Sequence, residues 1–423
     1  LGSAGCGTHL TSLTLRGMGG VTDCGLRALA SAGCGSQLIS LSLCHLRDGV
    51  TDCGLSALAS AGCGAQLTSL TLDGLQDGVT DAGLSALALA GCGVQLHSLT
   101  LCGLNVTDAG LSALASAGCG AHLTSLNLTG LDSHVTDSGL SSLASAGCGS
   151  RLTSLTLSYL KDGVTDSGFR ALASAGCGAQ LTSLTLIFLR EGVTDAGLSA
   201  LASAGCGEQL TSLTLWELSD VVTDSGLSAL ASAGCGARLT SLRLWEVEGV
   251  TDSGLSALAS AGCGAQLTSL NLGEVANGVT DESLRSLALA GCGRRLSHIS
   301  LSGFPAVHGS ILPSASVLEL FASHICVLAS LGDSGLASAS SFLKQHIHSS
   351  ILPLFHPFFD RDFKNTLSLM LPVEIWRNVL EYVDPDEYSV LARAEAGVSR
   401  EFYWLLKNSL TTMRVHNSVV PLC

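Results

Sequence analysis

Cys63-Gly-Ala-Gln-Leu67-Thr-Ser-Leu70-Thr-Leu72-Asp-Gly-Leu75, followed by Gly78-Val79-Thr80-Asp81-Ala-Gly83-Leu84-Ser-Ala-Leu87-Ala, is one copy of a block that fills most of the chain. Its cysteine returns at Cys6, Cys34, Cys63, Cys92, Cys119, Cys148, Cys177, Cys206, Cys235, Cys263 and Cys292. The gaps are 27 to 29 residues, a period that marks a stack of identical supersecondary units. Leu70 and Leu72 alternate with Ser69 and Thr71, so the block contains a short strand with one apolar face. Stacked copies pair these strands in parallel, about 4.8 Å per copy. About eleven rows, from Leu10–Leu15 to Leu296–Leu301, are expected.

Val79-Thr80-Asp81 begins the return limb. Thr80 or Asp81 is suited to cap the free N–H groups of a helix, and an aspartate favours its positive end. Leu84, Leu87 and Ala88 fall on one inward face, and Gly91 closes the helix in a left-handed conformation before Cys92 turns inward. No single block buries its own apolar side. Stacking does.

Composition agrees with a repeat. Glycine occurs 50 times in 423 residues, while 47% hydrophobic content rules out a disordered chain. The net charge is −14, of which residues 1–304, with 12 basic and 23 acidic side chains, hold −11. That field repels a phosphate backbone, so no nucleic-acid partner is expected; a protein target with a neutral or basic surface fits better. The chain starts at Leu1 inside a repeat without an initiator Met, so residues before Leu1 are expected in the natural protein. The most apolar stretch, Ile311 to Leu331, contains Pro313, Glu319 and His324 and reads as a buried helix, so no membrane span is expected. The cysteines number 17, lack paired C-x-x-C spacing and recur once per block. They read as small buried hydrophobes rather than disulfides or metal ligands, which suits a cytoplasmic or nuclear protein.

These blocks resemble the cysteine-containing subclass of leucine-rich repeats found in F-box and related adaptor proteins. The likeness is carried by Cys34-x-x-x-Leu38-x-x-Leu41-x-Leu43, Val50-Thr51-Asp52-x-Gly54-Leu55-x-x-Leu58-Ala59 and Cys63. It implies an α/β leucine-rich-repeat solenoid, curved, with the parallel sheet inside and helices outside. In that family an Asn or Cys ladder commonly follows the strand. Here Met18, Leu46, Leu75, Leu104, Leu131 and Leu160 stand instead, so apolar packing is expected to hold the turn and its backbone groups must be satisfied otherwise.

A partner is recognised by what departs from the repeat. The two residues after each strand are bland in the first half (Arg16-Gly17, Cys44-His45, Asp73-Gly74, Cys102-Gly103, Thr129-Gly130). In the second half they become Ser158-Tyr159, Ile187-Phe188, Trp216-Glu217, Trp245-Glu246 and Gly273-Glu274. Residues 1–303 hold five aromatics, and Tyr159, Phe188, Trp216 and Trp245 are four of them; the fifth, Phe169, replaces a core leucine. Ile187, Trp216 and Trp245 are expected side by side, flanked by Glu217, Arg243, Glu246 and Glu274. Such an aromatic patch suits a protein interface. Alternatively, the rings fold back over the sheet edge or pack on the C-terminal segment.

After Leu301 the repeat fails at Phe304-Pro305. Residues 305–365 read as an irregular, partly helical cap and linker; His346, His348 and His356 lack any metal-binding spacing. Leu371-Pro372-x-Glu374-Ile375, Tyr382-Val383-x-Pro385-Asp386 and Val398-Ser399-Arg400-x-Phe402-Tyr403 then form a small all-α segment over 366–410, with a tail at 411–423. This segment resembles an F-box. The resemblance implies docking to the adaptor subunit of an SCF-type cullin–RING ubiquitin ligase through Leu371, Pro372, Ile375, Val379 and Leu380. The same residues also suit a helical cap of the solenoid. Ser, His, Asp and Cys recur as repeat text rather than as a unique constellation, so no catalysis, cofactor or metal is expected. The expected role is a substrate receptor, or else a repeat scaffold unconnected with ubiquitin.

Overall fold

A computed structural model of the chain describes residues 9–302, apart from short stretches at 47–48, 76–77, 132–133, 161–162, 190–191, 219–220, 274–278, 280–282, 284–285, 288, 292–294 and 296–297. The cap expected at 305–365, the F-box-like segment at 366–410 and the tail at 411–423 lie outside the described residues.

Eleven strands form one sheet in sequence order. They are β1 (Ser12–Arg16), β2 (Ser40–Cys44), β3 (Ser69–Asp73), β4 (Ser98–Cys102), β5 (Ser125–Thr129), β6 (Ser154–Ser158), β7 (Ser183–Ile187), β8 (Ser212–Trp216), β9 (Ser241–Trp245), β10 (Ser269–Gly273) and β11 (His298–Ser302). Each pairs parallel with the next, and equivalent repeat positions face one another without slippage, as in Leu70↔Leu99 and Leu72↔Leu101. Nine helices of nine residues, from α1 (Asp23–Ser31) through α3 (Asp81–Leu89) to α9 (Asp252–Ser260), connect the strands among the described residues. The chain is a leucine-rich-repeat solenoid.

The core is a set of columns running the length of the stack. Both strand leucines, the helix leucines and the leucine after the turn are shielded from solvent in almost every repeat. Each fully buried leucine contributes about 1.5–3 kcal/mol. Phe169 takes a helix-leucine place and is buried, as its position implies. The cysteines of the repeat, Cys34 to Cys263, form a further buried column. Burial pushes the thiols of Cys63, Cys92, Cys148, Cys206 and Cys235 up to about 12. Such groups are poor nucleophiles and poor metal ligands at neutral pH.

At the helix start the aspartate does more than expected. Thr80 is the cap: its Oγ1 accepts from the Ala82 N–H at 3.2 Å. Asp81 instead reaches the next repeat, accepting from the Thr107 N–H (2.8 Å), the Thr107 hydroxyl (2.6 Å) and the Gly110 N–H (3.0 Å). Asp23, Asp52, Asp108, Asp137, Asp166, Asp195 and Asp224 bond the following threonine in the same way. A charged acceptor thus satisfies donors that a helix N-terminus leaves open, and joins two repeats in doing so. A Cβ on Gly168 would stand 2.6 Å from Asp137 Oδ1, which accounts for glycine as third residue of the helix.

After the strand, Leu46, Leu75, Leu104, Leu131 and Leu160 are buried, as expected from the missing ladder. Met18 is the exception at 52% exposure, because no described repeat precedes it to cover the turn. The backbone groups are satisfied by extending the sheet: the residue after each strand donates its N–H to the last strand carbonyl of the next repeat, as Gly74 does to Cys102 at 2.8 Å. That residue takes left-handed φ, 64° at Gly74 and 56° at Gly103.

Candidate functional site

The sheet's outer face carries the first, third and fifth residues of each strand. Along the fifth position, strand register places Ser158, Ile187, Trp216, Trp245 and Gly273 in one continuous row. The third position is Thr156, Thr185, Thr214, Arg243 and Asn271. The expected neighbours are therefore neighbours. Tyr159, Phe188, Glu217 and Glu246 follow the strands in a second row, while Glu274 lies outside the described residues. The adaptor-docking candidates Leu371, Pro372, Ile375, Val379 and Leu380 also lie outside them.

The rings pair rather than stand alone. Tyr159 and Phe188 stack with centroids 4.8 Å apart. Trp216 and Trp245 meet at 6.2 Å with planes tilted by 56°. The Arg243 guanidinium sits over both indoles, 4.6 Å from the Trp216 centroid and 5.9 Å from that of Trp245. Trp245 Nε1 donates to Glu246 Oε1 at 2.9 Å. Tyr159 is exposed, whereas Ile187, Phe188, both tryptophans, Arg243, Glu217 and Glu246 are half-buried. The rings meet one another in pairs, and part of each still faces solvent.

Two features mark this ridge energetically. First, the second row occupies the left-handed position that glycine fills at Gly17, Gly74, Gly103 and Gly130. Tyr159, Phe188, Glu217 and Glu246 hold φ of 53°, 57°, 53° and 49° there. For residues other than glycine this backbone costs on the order of 1 kcal/mol per residue. Four consecutive repeats bear a cost that glycine would remove.

Second, three buried side-chain polar atoms lack a hydrogen-bond partner among the described residues: Trp216 Nε1, Arg243 Nε and Asn271 Oδ1. All three belong to β8, β9 and β10. Each such group costs about 1–3 kcal/mol while unsatisfied. Strain and unmet hydrogen bonds are thus gathered in one place among the described residues.

Sequence pattern alone did not single out Asn271, whose significance lies in its unpaired oxygen beside Arg243. Glu248, exposed just past β9, was missed as well, being hidden in the variable stretch before the helix. The first half is less bland than its sequence suggests. His45, itself at φ 50°, lies 3.3 Å from Asp73. Asp73 also bonds Cys102, whose thiol burial and that contact together push to about 11. No group of three or more metal-ligating side chains comes together among the described residues. No helix among them is long and apolar enough to cross a membrane.

No protein-family model and no curated protein matches the chain. Its fold is similar to that of solved structures. One is the Rad7–Elc1 complex of yeast, at 22% identity over 78% of this chain and 74% of that one, with a TM-score of 0.53. Others are an internalin, InlF, of Listeria monocytogenes (22% identity, 73% of this chain and 85% of that one, TM-score 0.40) and the leucine-rich-repeat protein LegL7 of Legionella pneumophila (17%, 74% and 96%, TM-score 0.35).

Proposed function

We propose that this protein is a protein-binding receptor whose aromatic ridge, Tyr159, Ile187, Phe188, Trp216 and Trp245 with Glu217, Arg243, Glu246 and Glu274, holds a protein target. The observation that carries this reading is the left-handed backbone at four consecutive non-glycine residues, Tyr159, Phe188, Glu217 and Glu246, beside three unsatisfied buried polar atoms. A bound partner covers the half-exposed rings and supplies the missing hydrogen bonds, which the free solenoid leaves unmet.

The finer part of the proposal concerns Leu371–Leu406, which we infer docks the adaptor of an SCF-type cullin–RING ubiquitin ligase. Its support is the sequence pattern of that segment. The protein itself then performs no chemistry: it brings a target within reach of the ligase, and its contribution is proximity. The division into a solenoid at 1–304, a cap and linker at 305–365, an F-box-like segment at 366–410 and a tail at 411–423 belongs to the same proposal, as does a cytoplasmic or nuclear setting.

The test is binding of the full chain to the purified adaptor, compared with a Leu371→Asp/Ile375→Asp variant. Saturable binding that the variant loses supports the receptor. No binding by the full chain leaves a repeat scaffold unconnected with ubiquitin.

A further inference from the structure

Building on the target-binding reading, we propose that the ridge takes an extended peptide segment bearing arginine or lysine, its main chain crossing β8 to β10 and its cationic side chain lying beside Trp245 against Glu246 and Glu248.

The charge pattern selects the cation. Among the described residues at this end of β8 to β10, three carboxylates, Glu217, Glu246 and Glu248, stand against one cation, Arg243, in the charge count. Arg243 directs its charge onto the indoles, 4.6 Å from Trp216 and 5.9 Å from Trp245. The whole chain carries −14, so its long-range field also draws positive segments. An acidic ligand meets repulsion on both scales.

The row supplies a seat. Next to Trp245 stands Gly273, which contributes no side chain and so leaves that flank of the indole without a row neighbour. One repeat further in the other direction the same position is Trp216. An indole flank beside a glycine, with a carboxylate already bonded to its N–H, suits a guanidinium or ammonium, which indole faces attract.

The unsatisfied atoms select the main chain. Trp216 Nε1 and Arg243 Nε are donors, Asn271 Oδ1 is an acceptor, and they lie on three consecutive strands. An extended peptide alternates carbonyls and N–H groups along its length and can answer both kinds, whereas a lone side chain answers one. These atoms are covered in the free protein. Binding therefore entails a shift of Arg243 across the indoles.

The test uses the full chain and three fluorescein-labelled heptapeptides of sequence Ser-X-Thr-X-Ser-X-Thr, in which X is arginine, citrulline (neutral and nearly isosteric) or glutamate. The arginine peptide is expected to bind at least ten-fold more tightly than the citrulline one at low salt, with the advantage shrinking as salt rises. Glu246→Gln/Glu248→Gln should reduce it to the citrulline level without moving the urea midpoint. Equal binding of arginine and citrulline peptides, or preference for glutamate, overturns the cationic segment. If capture of a folded target still depends on Trp216 and Trp245 in that case, the binding ridge stands and only the ligand class falls. If no peptide binds and target capture ignores both tryptophans, both fall.

Discussion

Tyr159 and Phe188 stack with their ring planes 21° apart while each holds a left-handed backbone, φ 53° and 57°. The two facts are connected. The left-handed turn gives these residues a place in a second row beyond the strand end, where residues one repeat apart meet. A glycine in that position satisfies the turn but leaves nothing to stack. The solenoid gives up conformational comfort for a stacked pair of rings at this edge.

That exchange has a measurable sign. Replacing Glu246 (φ 49°) by glycine releases about 1–2 kcal/mol of left-handed cost and loses one half-exposed hydrogen bond worth about 0.5–1.5 kcal/mol. The variant is expected to be as stable as the parent or slightly more so in urea unfolding. The reverse change, Gly130→Phe at φ 61°, should cost about 1 kcal/mol or more. A clear loss of stability on Glu246→Gly refutes the idea that the ridge is strained.

The aspartate ladder should dominate coupling between repeats. Asp137→Ala strands the Thr165 N–H, the Thr165 hydroxyl and the Gly168 N–H, so a loss of about 2–4 kcal/mol is expected. Gly168→Ala should also destabilise, although alanine ordinarily favours a helix by about 0.5–1 kcal/mol, because its Cβ would stand 2.6 Å from Asp137 Oδ1. A stabilising Gly168→Ala would show that the ladder is slack.

Much of this architecture is legible in one chain. Leu-x-Leu declares the strand, Val-Thr-Asp the helix start, and four aromatics in a bland background declare the ridge. The Asp81–Thr107 bond was not legible, since the partners lie 26 residues apart and each also suits a local cap. Nor was the strain at Tyr159 read from the sequence, although the glycines at equivalent positions, Gly74, Gly103 and Gly130, were the available signal. Which ring meets which, and that Trp216 Nε1 goes unpaired among the described residues, depends on side-chain geometry that spacing does not contain.

The thiol column predicts alkaline instability. Folding raises the thiols of Cys63, Cys92, Cys148, Cys206 and Cys235 from 9.0 to about 12, so above pH 9 the unfolded chain loses protons that the folded chain keeps. Stability is therefore fully present below pH 9 and is lost as pH rises towards 12, by up to about 1.4 kcal/mol per pH unit for each thiol. The urea midpoint should therefore be lower at pH 10 than at pH 7.5, and replacing Cys148 by alanine should lessen that difference while lowering stability at pH 7.5. An equal slope in that variant contradicts the assignment.

Exposure predicts thiol reactivity. Cys24 and Cys53 are exposed, whereas the column from Cys63 to Cys263 is buried. In native protein at pH 8, iodoacetamide should label the first two within minutes and the column only on unfolding, as read by peptide mass spectrometry. Rapid native labelling of Cys148 would mean the stack opens far more readily than its packing allows.

The most direct test of the aromatic ridge is the affinity of the full chain for a captured protein target, measured beside the urea midpoint for parent and Trp216→Ser/Trp245→Ser. The loss of two half-exposed rings from an interface centre should weaken binding at least a hundred-fold while the midpoint hardly moves. Unchanged affinity, or a collapse of the midpoint that accounts for the loss, would make the rings a brace for the sheet and not a surface for a partner.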